Sequence, residues 1–329
     1  MNKYVAALFM SLFFIGLSCA EIELPWPEAK ITVKVIGEDN IAISNAMVHV
    51  GFRQGGNAWV GERKGQVFHG ISDTNGCYTA SARSEMSMGG SVEKSGYYRS
   101  FFEYSFTGNY QVIKSWQPWN PTLYIVLRKI VNPIPMYKKH IPIESEIPVA
   151  DSPVGYDLMI GDWVTPYGKG QVADFVFKVK RRVASWKDFE THLSLVFTNI
   201  MDGIQPVGEV SSRGSVFRLP RTAPENSYQP EWTNSIGNIG GKGYFQTQAE
   251  DCPGYFFRVR SVIDKNGKLV HALYGKIKGT VRFDARDSKT AHIAFTYYLN
   301  PTPNDRNMEF DPKRNLFKNL KSTEEVREP

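Results

Sequence analysis

The sequence predicts an all-β protein: two β-sandwich domains joined by a Pro-rich linker. Three observations lead there. Period-two alternation of apolar and polar residues recurs in both halves of the 329-residue chain. Turn-forming Gly, Asn, Asp and Pro residues separate these runs. Between the halves lies Asn132 to Pro153, which carries five prolines and little periodicity.

Residues 1–20 read as an export signal. Lys3 supplies a positive start, and Val5 to Leu17 form an apolar stretch of signal-peptide length, too short for a comfortable membrane span. Ser18-Cys19-Ala20 places small residues at the recognition positions, so cleavage after Ala20 is the leading reading. Gly16-Leu17-Ser18-Cys19 also resembles a bacterial lipoprotein box, and a lipid anchor at Cys19 is the alternative. No later segment reaches about 18 uninterrupted apolar residues, so no membrane span is expected. The expected location is therefore periplasmic, cell-surface or secreted.

About 309 residues remain after such a leader, enough for two ordinary domains. Their net charge of +5 is mild and fits solvated strand faces and a charged tail. Together with export, this argues against nucleic acid as a partner. Cys77 and Cys252 are left in the exported chain. They fall in different expected domains, and free buried thiols are favoured over a disulfide.

The first domain is expected over 21–129. Ile31-Thr32-Val33-Lys34-Val35 alternates as a half-buried strand, and Asn45-Ala46-Met47-Val48-His49-Val50 follows. In Ser72-Asp73-Thr74-Asn75-Gly76-Cys77-Tyr78, Asp73 to Gly76 predicts a tight turn in which the Asp side chain bonds backbone amides two residues on. Gly96-Tyr97 follows, and Thr122 to Leu127 is the closing strand. In order and spacing these motifs resemble the carboxypeptidase regulatory-like domain, a transthyretin-like β-sandwich of exported bacterial proteins. The likeness covers residues 31 to about 128. It implies an accessory module with a structural or interaction role and brings no catalytic residues. A Gly-rich insertion from Gly51 to Gly70, containing Trp59, departs from the pattern and is expected to project as a loop.

Residues 130–153 are expected to be a linker or surface strap, because proline lacks the N–H that a sheet interior needs. The second sandwich is expected over 154–300. Phe175, Phe177 and Val179 alternate with lysines, and Thr191 to Phe197 is rich in β-formers. Phe257 and Val259 alternate with Arg258 and Arg260. Ile277, Val281 and Phe283 share a face opposite Lys276, Lys278, Thr280 and Arg282. Ile293, Phe295, Tyr297 and Leu299 complete the set. Asp264-Lys265-Asn266-Gly267 predicts a hairpin turn. Residues 301–329 read as a polar tail that frays beyond Lys318. This half resembles no family with an assignable activity.

Chemical motifs are sparse. The six histidines are scattered, with no His-Glu-x-x-His and no pair at ligand spacing, so no metal is expected. His49 and His292 read as hydrogen-bonded or wet-face strand residues. There is no Gly-x-Ser-x-Gly elbow. Gly237 to Gly243 lacks the spacing and the Ser or Thr of a phosphate loop, and nothing calls for a cofactor. A glycosidase needs only two carboxylates placed by the fold, and Asp157, Asp162, Asp174, Asp202, Glu209, Glu250 and Asp251 are candidates, with no sequence argument pairing them. Asp305, Glu309 and Asp311 suit turn and capping roles better than calcium.

Aromatic residues carry the strongest binding signal. Trp116-Gln117-Pro118-Trp119-Asn120-Pro121 holds two indoles in a proline-braced loop; they form either a sugar-binding platform, with Gln117 or Asn120 as hydrogen-bonding partners, or apolar cement for the sandwich. Trp59 and Trp232, also in polar loops, are further candidates. The expected protein is thus an exported, non-catalytic β-sandwich protein with a binding or structural role at the cell envelope, its partner a glycan or a protein. The runner-up is a secreted glycan-acting hydrolase with its site in the second domain.

Overall fold

The computed structural model describes residues 26–55, 64–109, 114–149, 152–208, 210, 214–248, 252–287 and 290–329. Cys19, Trp59, Glu209, Glu250 and Asp251 lie outside these residues.

The first sandwich is built from β1 (Glu28–Ile36), β2 (Met47–Arg53), β3 (Gly65–Ile71), β4 (Cys77–Arg83), β5 (Ser87–Glu93), β6 (Ser100–Ser105) and β7 (Thr122–Val126). One sheet has the order β4-β1-β7 and the other β3-β2-β5-β6. Alternation determines what each strand buries: Ile31, Val33 and Val35 of β1 meet Val48, Val50 and Phe52 of β2 in one core. The predicted turn forms, with Asp73 Oδ1 accepting from the amides of Asn75 at 2.9 Å and Cys77 at 2.8 Å. Gly76 takes φ of +77° there, and a Cβ at that position would lie 2.5 Å from the Val35 carbonyl oxygen. The Gly51 to Gly70 insertion is not wholly a loop. Its ends are strand, pairing β2 with β3 from Met47–Ile71 to Arg53–Gly65.

The second sandwich follows with β8 (Ile134–Glu146), β9 (Val154–Asp157), β10 (Asp162–Trp163), β11 (Phe175–Ser185), β12 (Asp188–Val196), β13 (Gly203–Pro206), β14 (Glu231–Asn238), β15 (Phe245–Gln246), β16 (Gly254–Ile263), β17 (Leu269–Asp284), β18 (His292–Asn300) and β19 (Phe310–Asn315). Its sheets run β10-β9-β11-β12-β14-β15 and β13-β16-β17-β18-β8-β19. Aromatic edges and faces fill the space between them: Phe175 stands edge-on to Phe257 at 4.9 Å, and Phe177 lies 5.6 Å from Phe295. Asp264 closes the β16–β17 hairpin by accepting from Asn266 and Lys268, with Gly267 at φ +77°.

Three segments depart from expectation. The proline-rich stretch supplies β8, an interior strand between β18 and β19. Ile141 pairs with Phe295 and Ser145 with Ile293, so Pro142 falls in a bulge where no ladder bond is required. Pro135 lies on the β19 side, where pairing is confined to Ile134 and Met136. The polar tail supplies β19 and then turns back over the sheet. Lys138 Nζ donates to the carbonyls of Val326 and Glu328, and Lys139 pairs with Glu324 at 3.0 Å. Finally, the polar face expected around Lys276 is covered. Phe256, Ala272 and Tyr274 pack there with Val207, Leu219, Ala223 and Met308, while Lys276 lies 4.4 Å from the Tyr298 ring centroid and 4.8 Å from that of Phe217.

The two sandwiches meet through a buried polar junction. Arg128 donates to the carbonyls of Phe217 and Leu219 at 2.7 and 2.6 Å and pairs with Glu38 at 2.8 Å. Its guanidinium lies 4.3 Å from the Phe217 ring centroid. Glu309, fully buried, accepts from Tyr98 Oη, Val131 N and Asn132 N. Backbone bonds from Phe101 N to Gly214 O and from Val216 N to Arg99 O extend the contact. Burial pushes the Glu38 carboxyl up, but hydrogen bonds and charge from Arg221 and Arg128 hold it below its ordinary range.

Candidate functional site

The loop between β6 and β7 sends its two indoles in opposite directions. Trp116 is 2% exposed, packs in the first core, and donates Nε1–H to the Ser84 carbonyl at 2.8 Å. Trp119 is 45% exposed on the outer face of the β4-β1-β7 sheet, with Lys30 Nζ 5.9 Å from its ring centroid. The two rings therefore share no platform. Trp232 is remote from both: it is buried in the second core, edge-on to Tyr255 at 5.8 Å.

Asn120 stays with Trp119. Its φ of +56° is one that Asn tolerates. Asn120 Oδ1 accepts from Thr32 Oγ1 at 2.9 Å, and Thr32 Oγ1 lies 2.8 Å from Thr79 Oγ1. The register explains the cluster. Thr32 pairs with Thr79 on one side and with Thr122 on the other, so these side chains share the wet face.

The same face carries a second exposed ring that the sequence reading missed. Tyr124 pairs with Lys34 in the parallel β1–β7 ladder, is 64% exposed, and has Lys34 Nζ 5.8 Å from its centroid. Lys30, Thr32 and Lys34 alternate along β1. Lys30 and Lys34, the lysines beside Trp119 and Tyr124, stand about 13 Å apart along β1, with Thr32 of the Thr32–Thr79–Asn120 cluster between them. The available signal was period two, since Leu123 and Ile125 pack inward and Tyr124 must face out.

Among the carboxylate candidates, the fold gathers Asp157, Asp174 and Asp202 around Arg260. Arg260 bonds Asp174 through Nε at 2.8 Å and Asp157 through Nη2 at 2.9 Å, while its backbone N–H goes to Asp202 Oδ2 at 3.0 Å. Asp157 also accepts from the amides of Met159, Ile160, Gln171 and Val172, and Asp202 from Ser261 N. Burial raises the Asp157 carboxyl, but these amides and the Arg260 charge bring it below its ordinary range. For Asp174, burial outweighs Arg260 and leaves it raised. Every oxygen of the three has an internal donor, so the cluster clamps β9, β11, β13 and β16 together. Asp162 is likewise committed to the amides of Trp163 and Lys169.

Asp305, Glu309 and Asp311 serve turns and the junction: Asp305 accepts from Asn307 N, and Asp311 accepts from Lys313 N and pairs with Arg314. Gly237 to Gly243 ends β14 and forms a short exposed turn before β15. Cys77 and Cys252 are free thiols. Among the described residues, no group of three or more His, Cys, Asp or Glu side chains is placed to hold a metal ion, and no helix is long and apolar enough to cross a membrane.

The architecture defines an all-β protein of paired sandwiches. No protein-family profile matches the chain, and no curated protein matches it. Among solved structures, it is similar to 3-chlorocatechol 1,2-dioxygenase from Rhodococcus opacus 1CP, with 11% identity and a TM-score of 0.24 over 33% of this chain and 62% of that one. It is also similar to the shaft pilin SpaA of Lactobacillus rhamnosus GG, with 11% identity and a TM-score of 0.23 over 55% of this chain and 91% of the pilin. A third similarity is to BcpA, the major pilin subunit of Bacillus cereus, with 13% identity and a TM-score of 0.21 over 82% and 95% of the two chains.

Proposed function

We propose that this is an exported, non-catalytic protein with a binding role at the cell envelope, and that it binds glycan through the outer face of the β4-β1-β7 sheet. One observation carries the reading. Two exposed rings, Trp119 and Tyr124, accompany a hydroxyl and amide cluster on one sheet face. Aromatic faces cover the apolar side of a sugar ring, and Thr32, Thr79 and Asn120 offer hydrogen bonds to its hydroxyls. The reading keeps the export signal at 1–20 and a first unit of 21–129. It places residues 130–153 and 301–329 with the second unit around 154–300, because β8 and β19 belong to that sheet.

A glycan-acting hydrolase would need two carboxylates about 5–9.5 Å apart across a cleft. The clustered acids of the second sandwich are instead saturated by Arg260 and backbone amides, which favours the binder.

The test is a binding screen of residues 21–329 against peptidoglycan fragments and envelope polysaccharides, repeated with Trp119→Ala and Tyr124→Ala. Each variant is expected to weaken binding at least about tenfold, or about 1.4 kcal/mol. Binding that survives both changes moves the site elsewhere, and no binding to any glycan leaves a structural role. Export after Ala20 predicts an unmodified N-terminus at Glu21 by mass spectrometry, whereas a lipid on Cys19 gives the anchored form.

A further inference from the structure

On the other sheet of the first sandwich, two imidazoles point their Nδ1 atoms at each other. His49 of β2 and His69 of β3 are direct cross-strand partners, with Nδ1 to Nδ1 at 2.5 Å and ring centroids 4.7 Å apart at 80°. Two Nδ1 lone pairs cannot face each other at that range, and neither can two N–H groups. The pair is satisfied when one ring donates Nδ1–H to the lone pair of the other, or when both lone pairs face a metal ion that takes the place of that proton.

We propose that His49 and His69 form a two-histidine site for a divalent first-row transition metal, Cu²⁺ binding most tightly, with water completing the coordination. Imidazole nitrogen suits these metals, and affinity rises toward Cu²⁺ along the first row. A metal at about 2.0–2.1 Å from each nitrogen needs the two atoms about 3 Å apart. Small side-chain rotations supply that opening, since His49 is half-buried and His69 is exposed.

The surroundings fit the role. Glu93 Oε1 lies 3.9 Å from His49 Nε2 and is itself held by Arg99 Nε at 3.0 Å. A small closing movement would bring that carboxylate within hydrogen-bond reach of Nε2–H, the tautomer that leaves the Nδ1 lone pair for the metal. β3 is the edge strand of its sheet, so the metal would tie that edge to β2.

The test is titration of the untagged chain from Glu21 with Cu²⁺, then Zn²⁺, followed by calorimetry, electron paramagnetic resonance and thermal unfolding. One equivalent of Cu²⁺ is expected, with two imidazole nitrogens in its spectrum and a raised unfolding temperature. His49→Ala and His69→Ala are each expected to weaken binding at least tenfold and abolish the thermal gain, while Glu93→Gln weakens it by about tenfold. Both histidines are partly exposed, so unfolding without metal stays near wild type and reports that the variants fold. Cu²⁺ affinity and spectrum unchanged by His69→Ala would overturn the proposal, as would a dissociation constant above about 1 mM for the unaltered chain.

Discussion

The Tyr98 hydroxyl, in the first sandwich, donates to Glu309 Oε1 at 2.9 Å across 211 residues of sequence, and both side chains are buried. Glu309 also takes the amides of Val131 and Asn132. One carboxylate therefore fixes the first sandwich, the connecting segment and the start of β19.

Removing that acceptor strands the buried Tyr98 hydroxyl and two partly buried amides. Glu309→Ala is expected to cost about 3–5 kcal/mol, because breaking a buried charged network costs far more than its net worth. Tyr98→Phe removes one bond and should cost about 1.5–3 kcal/mol. Urea unfolding measures both. A Glu309→Ala loss under about 1 kcal/mol would show that the junction does not couple the sandwiches.

The two indoles of the β6–β7 loop should separate cleanly in stability. Trp116→Ala empties a core position and loses the bond to Ser84 O, costing about 3–5 kcal/mol. Trp119→Ala changes an exposed side chain and should stay within about 0.5 kcal/mol. Thermal unfolding of the two variants side by side gives the answer. Equal destabilisation would mean that Trp119 is covered in solution and is no binding ring.

Stability is expected to rise with pH from about 7 toward 10. Burial, reinforced by repulsion from Lys278, pushes the Lys138 ammonium down from 10.5 to about 7, and burial with the nearby Arg218 takes Lys278 down to about 8. Between those values and the ordinary lysine range the unfolded chain binds more protons than the folded one, so stability climbs with pH. The penalty is full below about 7 and gone above about 10.5. Denaturant midpoints at pH 6, 8 and 9.5 test this, and Lys138→Met should flatten the slope. A wild-type slope that Lys138→Met leaves unchanged would assign the effect to other groups.

Much of the fold was legible because alternation is a local property. Phe175, Phe177 and Val179 had to share a face whatever lay opposite, and Asp264 to Gly267 carried its own turn chemistry. β8 and β19 were hidden because Pro135, Pro142 and the charges of the tail argue locally against a sheet interior. Only the register, with its bulge at Pro142 and its sparse β19 pairing, accommodates them. Lys276 looked solvated because nothing local shows that Leu219 and Met308 fold over its side of the sheet. At the candidate site, the tryptophan loop and Asn120 were visible, but which indole turned inward depended on loop geometry. Tyr124 was missed although alternation alone could have exposed it. His49 and His69 stand 20 residues apart, and only the hairpin register makes them neighbours.

Arg260 distinguishes a structural acid cluster from a catalytic one. It occupies φ of +55° while its guanidinium engages Asp157 and Asp174, both nearly inaccessible. Arg260→Ala would leave two carboxylates about the same buried position with only amide donors to offset them. The expected loss is about 3–5 kcal/mol, since an unpaired buried charge dominates the balance. Asp174→Asn should cost less, because its carboxyl is already raised by burial and the amide keeps one acceptor for Arg260. Urea midpoints for both variants, measured at pH 7 and again near pH 4, check the assignment. In Arg260→Ala the deficit should shrink as the carboxylates protonate, because the uncompensated charge disappears. A stable Arg260→Ala protein with no such pH dependence would mean that the acids are not held by the guanidinium, and would reopen the hydrolase reading.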